Sequence, residues 1–161
     1  VARYGEPLDE PRGTITHRFP TSSALAGIDP AGLPMPRSRA KALREMARLV
    51  SRGELSLDPG AEPGPALSGL LEVPGIGPWT ASYIAMRALG DPDAYPAGDA
   101  GLRRALEQRG YAADRASEER LADAWRPWRS YAVVHLWRSL DGEPLAGQAT
   151  TVRAWPPRST S

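Results

Sequence analysis

A chain of 161 residues is long enough for one domain with a real core and too short for two comfortable ones. It holds no cysteine, which excludes disulfides, zinc–thiolate sites and cysteine-ligated iron–sulfur clusters. No apolar run reaches the length of a membrane span, no secretory signal opens the chain, and a net charge of +1 leaves no strong electrostatic footprint for nucleic acid.

These properties fit a protein of a reducing cytoplasm. The first residue is Val1 rather than a methionine, so the chain is expected to be cut from something longer. Lys41 is the only lysine among 20 basic residues. GC-rich coding accounts for that bias, but its consequence for amine chemistry holds whatever the cause.

Residues 1–20 read as irregular, because Pro7, Pro11, Gly13 and Pro20 interrupt any period. Helical signals follow. Ser22 or Ser23 can cap a short helix through Ala24–Ala26, and Asp29 before Pro30 is a cap with proline at the first helical position. Ser38 opens a longer helix with Leu43, Met46, Ala47 and Val50 on one face and Gly53 at its end. Residues 56–65 read as a turn-rich loop, and a short helix from Ala66 to Leu71 leads into Val73-Pro74-Gly75-Ile76-Gly77-Pro78. The next helix is expected from Trp79 to Ala88, stopping near Gly90. Asp99 can cap a helix through Leu106, and Ser117 with Glu118 and Glu119 starts another that ends near Trp125. Pro127 breaks the pattern before a last helix carrying Trp128, Tyr131, His135, Leu136 and Leu140. Beyond Gly147 the composition turns to Thr, Arg, Pro and Ser, so a domain over 1–147 and a flexible tail over 148–161 are expected. No run shows sustained strand alternation, and the expected fold class is all-α.

The stretch from Leu70 to Ala81 carries the most information. Two glycines separated by one aliphatic residue, between apolar helices, make a tight turn open to close approach. Backbone amides of the turn and of the following helix start then point outward together, an anion site made of main chain and suited to a phosphodiester. Ile76 can pin the turn into the core. Such a site needs few cations, so a near-neutral charge does not count against DNA. An ordinary αα-hairpin would also use glycines, but the pattern here extends through L-x-x-V-P-G-I-G-P-x-T-A.

That string resembles the helix-hairpin-helix of DNA repair enzymes. The run Trp125-Arg126-Pro127-Trp128-Arg129-Ser130-Tyr131-Ala132-Val133-Val134-His135-Leu136-Trp137 is similar to the final helices of the DNA-3-methyladenine glycosylase II family. The resemblance covers roughly residues 4–140, including Tyr4-Gly5, Phe19-Pro20-Thr21 and the helix start around Met35-Pro36. It implies an all-α helix-hairpin-helix glycosylase domain without the family's N-terminal α/β domain and first helices. The implied activity is monofunctional hydrolysis of the N-glycosidic bond of alkylated purines, such as 3-methyladenine and 7-methylguanine, in base excision repair. The implied partner is double-stranded DNA with alkylated bases, bound by a monomer in a bacterial cytoplasm, at the nucleoid, with no cofactor required and no membrane. The chain reads as part of a fuller glycosylase or of a fusion with a methyltransferase regulator; the alternative is a non-catalytic DNA-binding module or inactive fragment, against which Asp99, Trp79 and Trp137 together favour the enzyme.

Family positions assign individual roles. Asp99, in Tyr95-Pro96-Ala97-Gly98-Asp99, stands where the family places its catalytic aspartate. Hydrolysis of a nucleoside bond passes through a sugar with oxocarbenium character, which a fixed carboxylate stabilises while it orients or deprotonates water. Capping a helix would fix that carboxylate, so both roles can hold together. Gly98 replaces a second acid that the family can carry. Bifunctional relatives such as endonuclease III place a Schiff-base lysine just before the Thr-Ala pair, and Trp79 stands there instead.

A flipped, methylated purine is electron-poor and cationic, and aromatic faces attract it. Trp79 and Tyr83, four apart, share a helix face, and with Trp137 they are the expected base pocket. Trp125, Trp128 and Tyr131 are expected in the core, and His135 as a hydrogen-bonded structural histidine. Gly75, Gly77 and Thr80 are the expected phosphate contacts. The resemblance also implies a structural Na+ or K+ held by the carbonyls of Leu71, Val73 and Ile76.

Overall fold

The computed structural model describes residues 1–111 and 114–140, so the domain end at 147 and the tail at 148–161 lie outside the described residues. The first departure from expectation is at the start of the chain. Instead of irregular structure, residues 1–20 contain an antiparallel hairpin of β1 (Pro7–Arg12) and β2 (Ile15–His17). A two-stranded ribbon leaves outward amides to solvent, so Pro7 and Pro11, which have none, are tolerated. Its side chains are nearly all exposed, so no apolar alternation marks it.

Everything after it is helical or loop among the described residues. α1 (Ser22–Ala26) is capped by Thr21, whose hydroxyl accepts the Ala24 amide at 3.2 Å, and not by Ser22 or Ser23. Asp29 caps the 3-10 turn Pro30–Gly32 as expected. α2 (Arg37–Ser51) follows Pro36 with no side-chain cap and buries Ala40, Ala42 and Ala47. α3 (Pro63–Leu71) begins at Pro63 rather than Ala66. Prolines in a first turn lack only amides that would have no helical partner, so Pro63 and Pro65 extend the helix instead of delaying it.

α4 (Pro78–Ile84) passes into a π-helical turn, Ala85–Leu89, and closes at Gly90. α5 (Ala100–Glu107) starts at Asp99, as the sequence indicates. α6 (Arg115–Asp123) is capped by Asp114, which accepts the Ser117 amide at 2.9 Å, so Ser117 is the residue capped and not the cap. α7 (Arg129–Leu140) follows the Trp125–Trp128 turn.

The core draws Leu70 from α3, Ala81 from α4, Leu102, Ala105 and Leu106 from α5, and Val133 and Leu136 from α7. Each fully buried leucine contributes about 1.5–3 kcal/mol. α5 packs along α7. The N-terminus of α5, and therefore Asp99, is thereby brought to the C-terminal part of α7, where Trp137 lies.

Candidate active site

Asp99 begins as a helix cap. Its Oδ1 accepts the Leu102 amide at 2.8 Å, satisfying one of the donors a first turn leaves free. The same carboxylate then receives two indoles. Trp137 Nε1–H donates to Oδ1 at 2.9 Å, and Trp79 Nε1–H donates to Oδ2 at 3.0 Å. The sequence places these tryptophans 38 and 20 residues from Asp99, on different helices.

Tyr83 completes the group. Its ring stacks on Trp79 with centroids 5.4 Å apart and planes 11° from parallel, and meets Trp137 at 6.0 Å. Trp79 and Tyr83 remain 41% and 37% exposed, so beyond the stack they make with each other they keep surface that is not spent on the core. All four expected residues of the reaction centre and base pocket therefore lie together. One further residue makes room for them. A Cβ at Gly101 would stand 3.0 Å from Asp99 Oδ1 and 3.3 Å from two atoms of the Trp137 indole. A side chain there would make the indole or the carboxylate give way by a few tenths of an ångström, so glycine leaves their contact across the first turn of α5 undisturbed.

The hairpin is built as its sequence indicates. Val73 is buried, Ile76 packs partly buried against the core, and Gly75 takes φ 95°, which L side chains rarely adopt. Ala42 and Ser38 of α2 back the turn at Gly75. Gly77 has ordinary extended geometry, and a Cβ there would touch nothing within 4 Å. Among the described residues, the amides of Gly75, Gly77 and Thr80 donate no hydrogen bond. The carbonyls of Leu71 and Ile76 accept none outside the helices, and that of Val73 accepts the Ile76 amide at 3.0 Å.

The loop leading to Asp99 is tied down by residues that drew no functional reading from the sequence. Ser130 Oγ–H bonds the carbonyls of Asp91 and Ala94 at 2.7 and 2.9 Å, and the Ser130 amide donates to Pro92 at 2.9 Å. Arg129 grips both oxygens of Asp93 at 2.8 Å, and Arg126 adds a bond of 2.6 Å. Burial pushes the Asp93 carboxyl up, but the hydrogen bonds and charges of Arg129, with the charge of Arg126, outweigh it and hold it below the usual carboxylate range. Closer to Asp99, the buried carboxylate of Glu118 accepts from the Tyr95 hydroxyl at 2.7 Å and the Gly98 amide at 3.3 Å. Burial, with that carboxylate as acceptor, pushes the Tyr95 hydroxyl well above its ordinary value.

Several expectations fail. Trp128 and Tyr131 are 58% and 59% exposed and stack edge-to-face at 5.7 Å, so neither is core, whereas Trp125 packs partly buried against Tyr95. His135 is exposed and makes no side-chain hydrogen bond among the described residues, so it is not the bonded structural histidine expected. It lines a cavity of about 390 Å³ with Met86, Arg87, Tyr131, Val134 and Arg138, beside the site but without Asp99. Lys41 is exposed on α2. Among the described residues no cluster of His, Asp or Glu could hold a metal ion, and no helix is long and apolar enough to cross a membrane.

A carboxylate held by three N–H donors, at the edge of a three-ring aromatic surface, offers fixed negative charge beside electron-rich faces. That combination suits a planar cation attached to a group that becomes cationic in its turn.

No protein-family model matches the chain. It is 43% identical over 158 residues to the "Probable bifunctional transcriptional activator/DNA repair enzyme AlkA" of Mycobacterium tuberculosis, covering 98% of this chain and 30% of that protein. It is 36% identical over 144 residues to the DNA-3-methyladenine glycosylase 2 of Escherichia coli, covering 88% and 49%. Among solved structures, the 3-methyladenine DNA-glycosylase of Archaeoglobus fulgidus superposes with a TM-score of 0.70 at 26% identity, over 90% of this chain and 50% of that one. The DNA-bound 8-oxoguanine glycosylase/lyase of Clostridium acetobutylicum gives 0.70 at 20% identity, over 88% and 50%, a likeness of fold alone. The chain thus spans between about a third and half the length of the curated relatives it matches.

Proposed function

We propose that the chain, similar in sequence to DNA-3-methyladenine glycosylases and in fold to one of them, is part of a helix-hairpin-helix glycosylase and hydrolyses the N-glycosidic bond of alkylated purines in double-stranded DNA. The observation that carries this reading is the single carboxylate, Asp99, bonded to the indoles of two tryptophans from different helices. A module that only bound DNA would need the hairpin and nothing of this arrangement.

In this mechanism the alkylated nucleotide leaves the duplex and its base lies against Trp79, Tyr83 and Trp137. N3- or N7-methylation gives the purine a positive charge, which the aromatic faces hold and which already weakens the bond to the sugar. Asp99 stabilises the oxocarbenium character that develops on the sugar and orients the attacking water. The amides at Gly75, Gly77 and Thr80 hold a phosphate of the bound strand, fixing the register of the protein without reading bases. The carbonyls of Leu71, Val73 and Ile76 fit a Na+ or K+, since two of the three carry no other bond outside the helices and all are hard oxygen donors. Such an ion would add positive charge beneath the phosphate. We take the working form to be a monomer.

The test is direct. Incubated with DNA methylated by a simple alkylating agent, the chain should release free 3-methyladenine and 7-methylguanine, measured by chromatography. The strands should remain intact until alkali is added, and borohydride should trap no covalent complex. Trp79 beside Asp99 has no amine to form a Schiff base. A borohydride adduct would overturn the monofunctional part of the reading, and absence of base release the whole of it.

The hairpin's share is separable. Gly77→Leu should weaken binding to methylated and unmethylated duplex alike by about tenfold, the order of one hydrogen bond to a charged group. Since a Cβ at Gly77 meets nothing, the fold should be unaffected. Fluorescence anisotropy on both duplexes checks this, and a loss confined to methylated DNA would remove Gly77 from the phosphate site.

A further inference from the structure

We propose that Glu118 is a positioning residue for Asp99: from beneath the loop it fixes the Gly98 amide, and so the direction in which the Asp99 side chain leaves the backbone. This rests on the reading of Asp99 as the reacting carboxylate. Glu118 is 2% exposed, and a charged group so placed is costly unless its oxygens are bonded. Only one oxygen is. Oε1 accepts both the Tyr95 hydroxyl and the Gly98 amide, while Oε2 is buried with no partner among the described residues. A leucine would fill the same space without that cost but could accept nothing.

The location says what the carboxylate is for. The front of the loop, Asp91–Ala94, is tied to Arg126, Arg129 and Ser130. Residues 95–98, which lead directly into Asp99, donate hydrogen bonds to one side chain outside the loop among the described residues, that of Glu118. The remaining bonds there, from Ala97 to Tyr95 and from Asp99 to Pro96, are internal to the loop and shape it without placing it. A carboxylate must meet two indoles from different helices within 2.9–3.0 Å. Its backbone therefore has to be referenced to something outside the loop, and α6 supplies that reference.

The claim concerns an acceptor at a fixed reach rather than a charge, and two variants separate these. Glu118→Gln keeps the oxygen at the same reach and removes the charge. Glu118→Asp keeps the charge and withdraws it by one methylene. In NMR spectra, the indole Nε1–H signals of Trp79 and Trp137, assigned with Trp79→Phe and Trp137→Phe, report the bonds to Asp99 without any turnover. We expect Glu118→Gln to preserve both signals and the single-turnover excision rate. Glu118→Asp should shift both signals and slow excision about tenfold to a hundredfold, the scale of a misplacement near 1 Å, with affinity for abasic-site DNA unchanged. A purely structural glutamate would lower the melting temperature in either variant and leave the indole signals of the folded protein alone. The proposal is overturned if Glu118→Asp keeps both signals, or if Glu118→Gln loses as much as Glu118→Asp. Should the parent chain release no base, the glycosylase reading falls, and the indole signals still decide the role of Glu118.

Discussion

Asp99→Asn should abolish release of methylated purines, by about 10²-fold at the least, while the fold and the affinity for an abasic-site analogue persist. Asparagine is as good an N-cap as aspartate, and its side-chain oxygen can keep the Leu102 amide, so α5 should start where it does now. The formal charge is what disappears. A neutral amide neither stabilises a sugar cation nor accepts a proton from water. Its nitrogen would also face an indole N–H, donor against donor, so one of the two tryptophan contacts must open. Chromatography of released bases under single-turnover conditions gives the rate, and anisotropy with abasic-site DNA gives the affinity. Excision near the parental rate would take Asp99 out of the reaction.

The second large effect concerns Trp137, which has two tasks that substitution can divide. Trp137→Ala should slow excision roughly ten- to hundredfold, since stacking of a base on an aromatic side chain is worth about 1–3 kcal/mol. Binding to undamaged duplex should be spared, because in the proposed mode the hairpin makes that contact. Trp137→Phe keeps a smaller stacking ring and loses the N–H that bonds Asp99 Oδ1, so it should fall between parent and alanine variant. The indole is half-buried against the core, and truncation leaves a void, so circular dichroism must show an intact fold. An alanine variant that folds and excises at the parental rate would make Trp137 a packing residue.

How far the site could be read before the structure depended on whether its logic was local. Trp79 and Tyr83 are four apart on one helix, so their shared face follows from helical geometry, and the stacked rings agree. Asp99 after a Pro-Ala-Gly turn was legible as a cap for the same reason. That both indoles would donate to one carboxylate was not legible, because it depends on how α5 lies along α7. Gly101 was invisible without its neighbours: in a sequence it is one glycine inside a helix. Glu118 did leave a trace. It falls in register with Leu121 and Ala122 on the inward face of α6, but beside Ser117 and Glu119 it read only as part of a helix start. Trp128 and Tyr131 misled in the opposite direction, since large aromatics imply burial and both are exposed. The early hairpin had no apolar alternation to announce it, because a ribbon exposed on both faces needs none.

The ties between the loop and α7 have a thermodynamic side. Ser130, Arg129 and Arg126 join the segment that carries Asp99 to the turn and helix that carry Trp137. Structure lost in partial unfolding is lost in contiguous units, and with these bonds the loop and helix are expected to open as one, which hydrogen exchange of their amides would show as a shared protection. Opening of α7, with Trp137, should therefore carry the Asp99 loop with it and not leave the carboxylate standing without that indole. On the glycosylase reading proposed above, a transiently opened molecule would lose its carboxylate and that indole together, and would be silent toward normal nucleotides rather than indiscriminate.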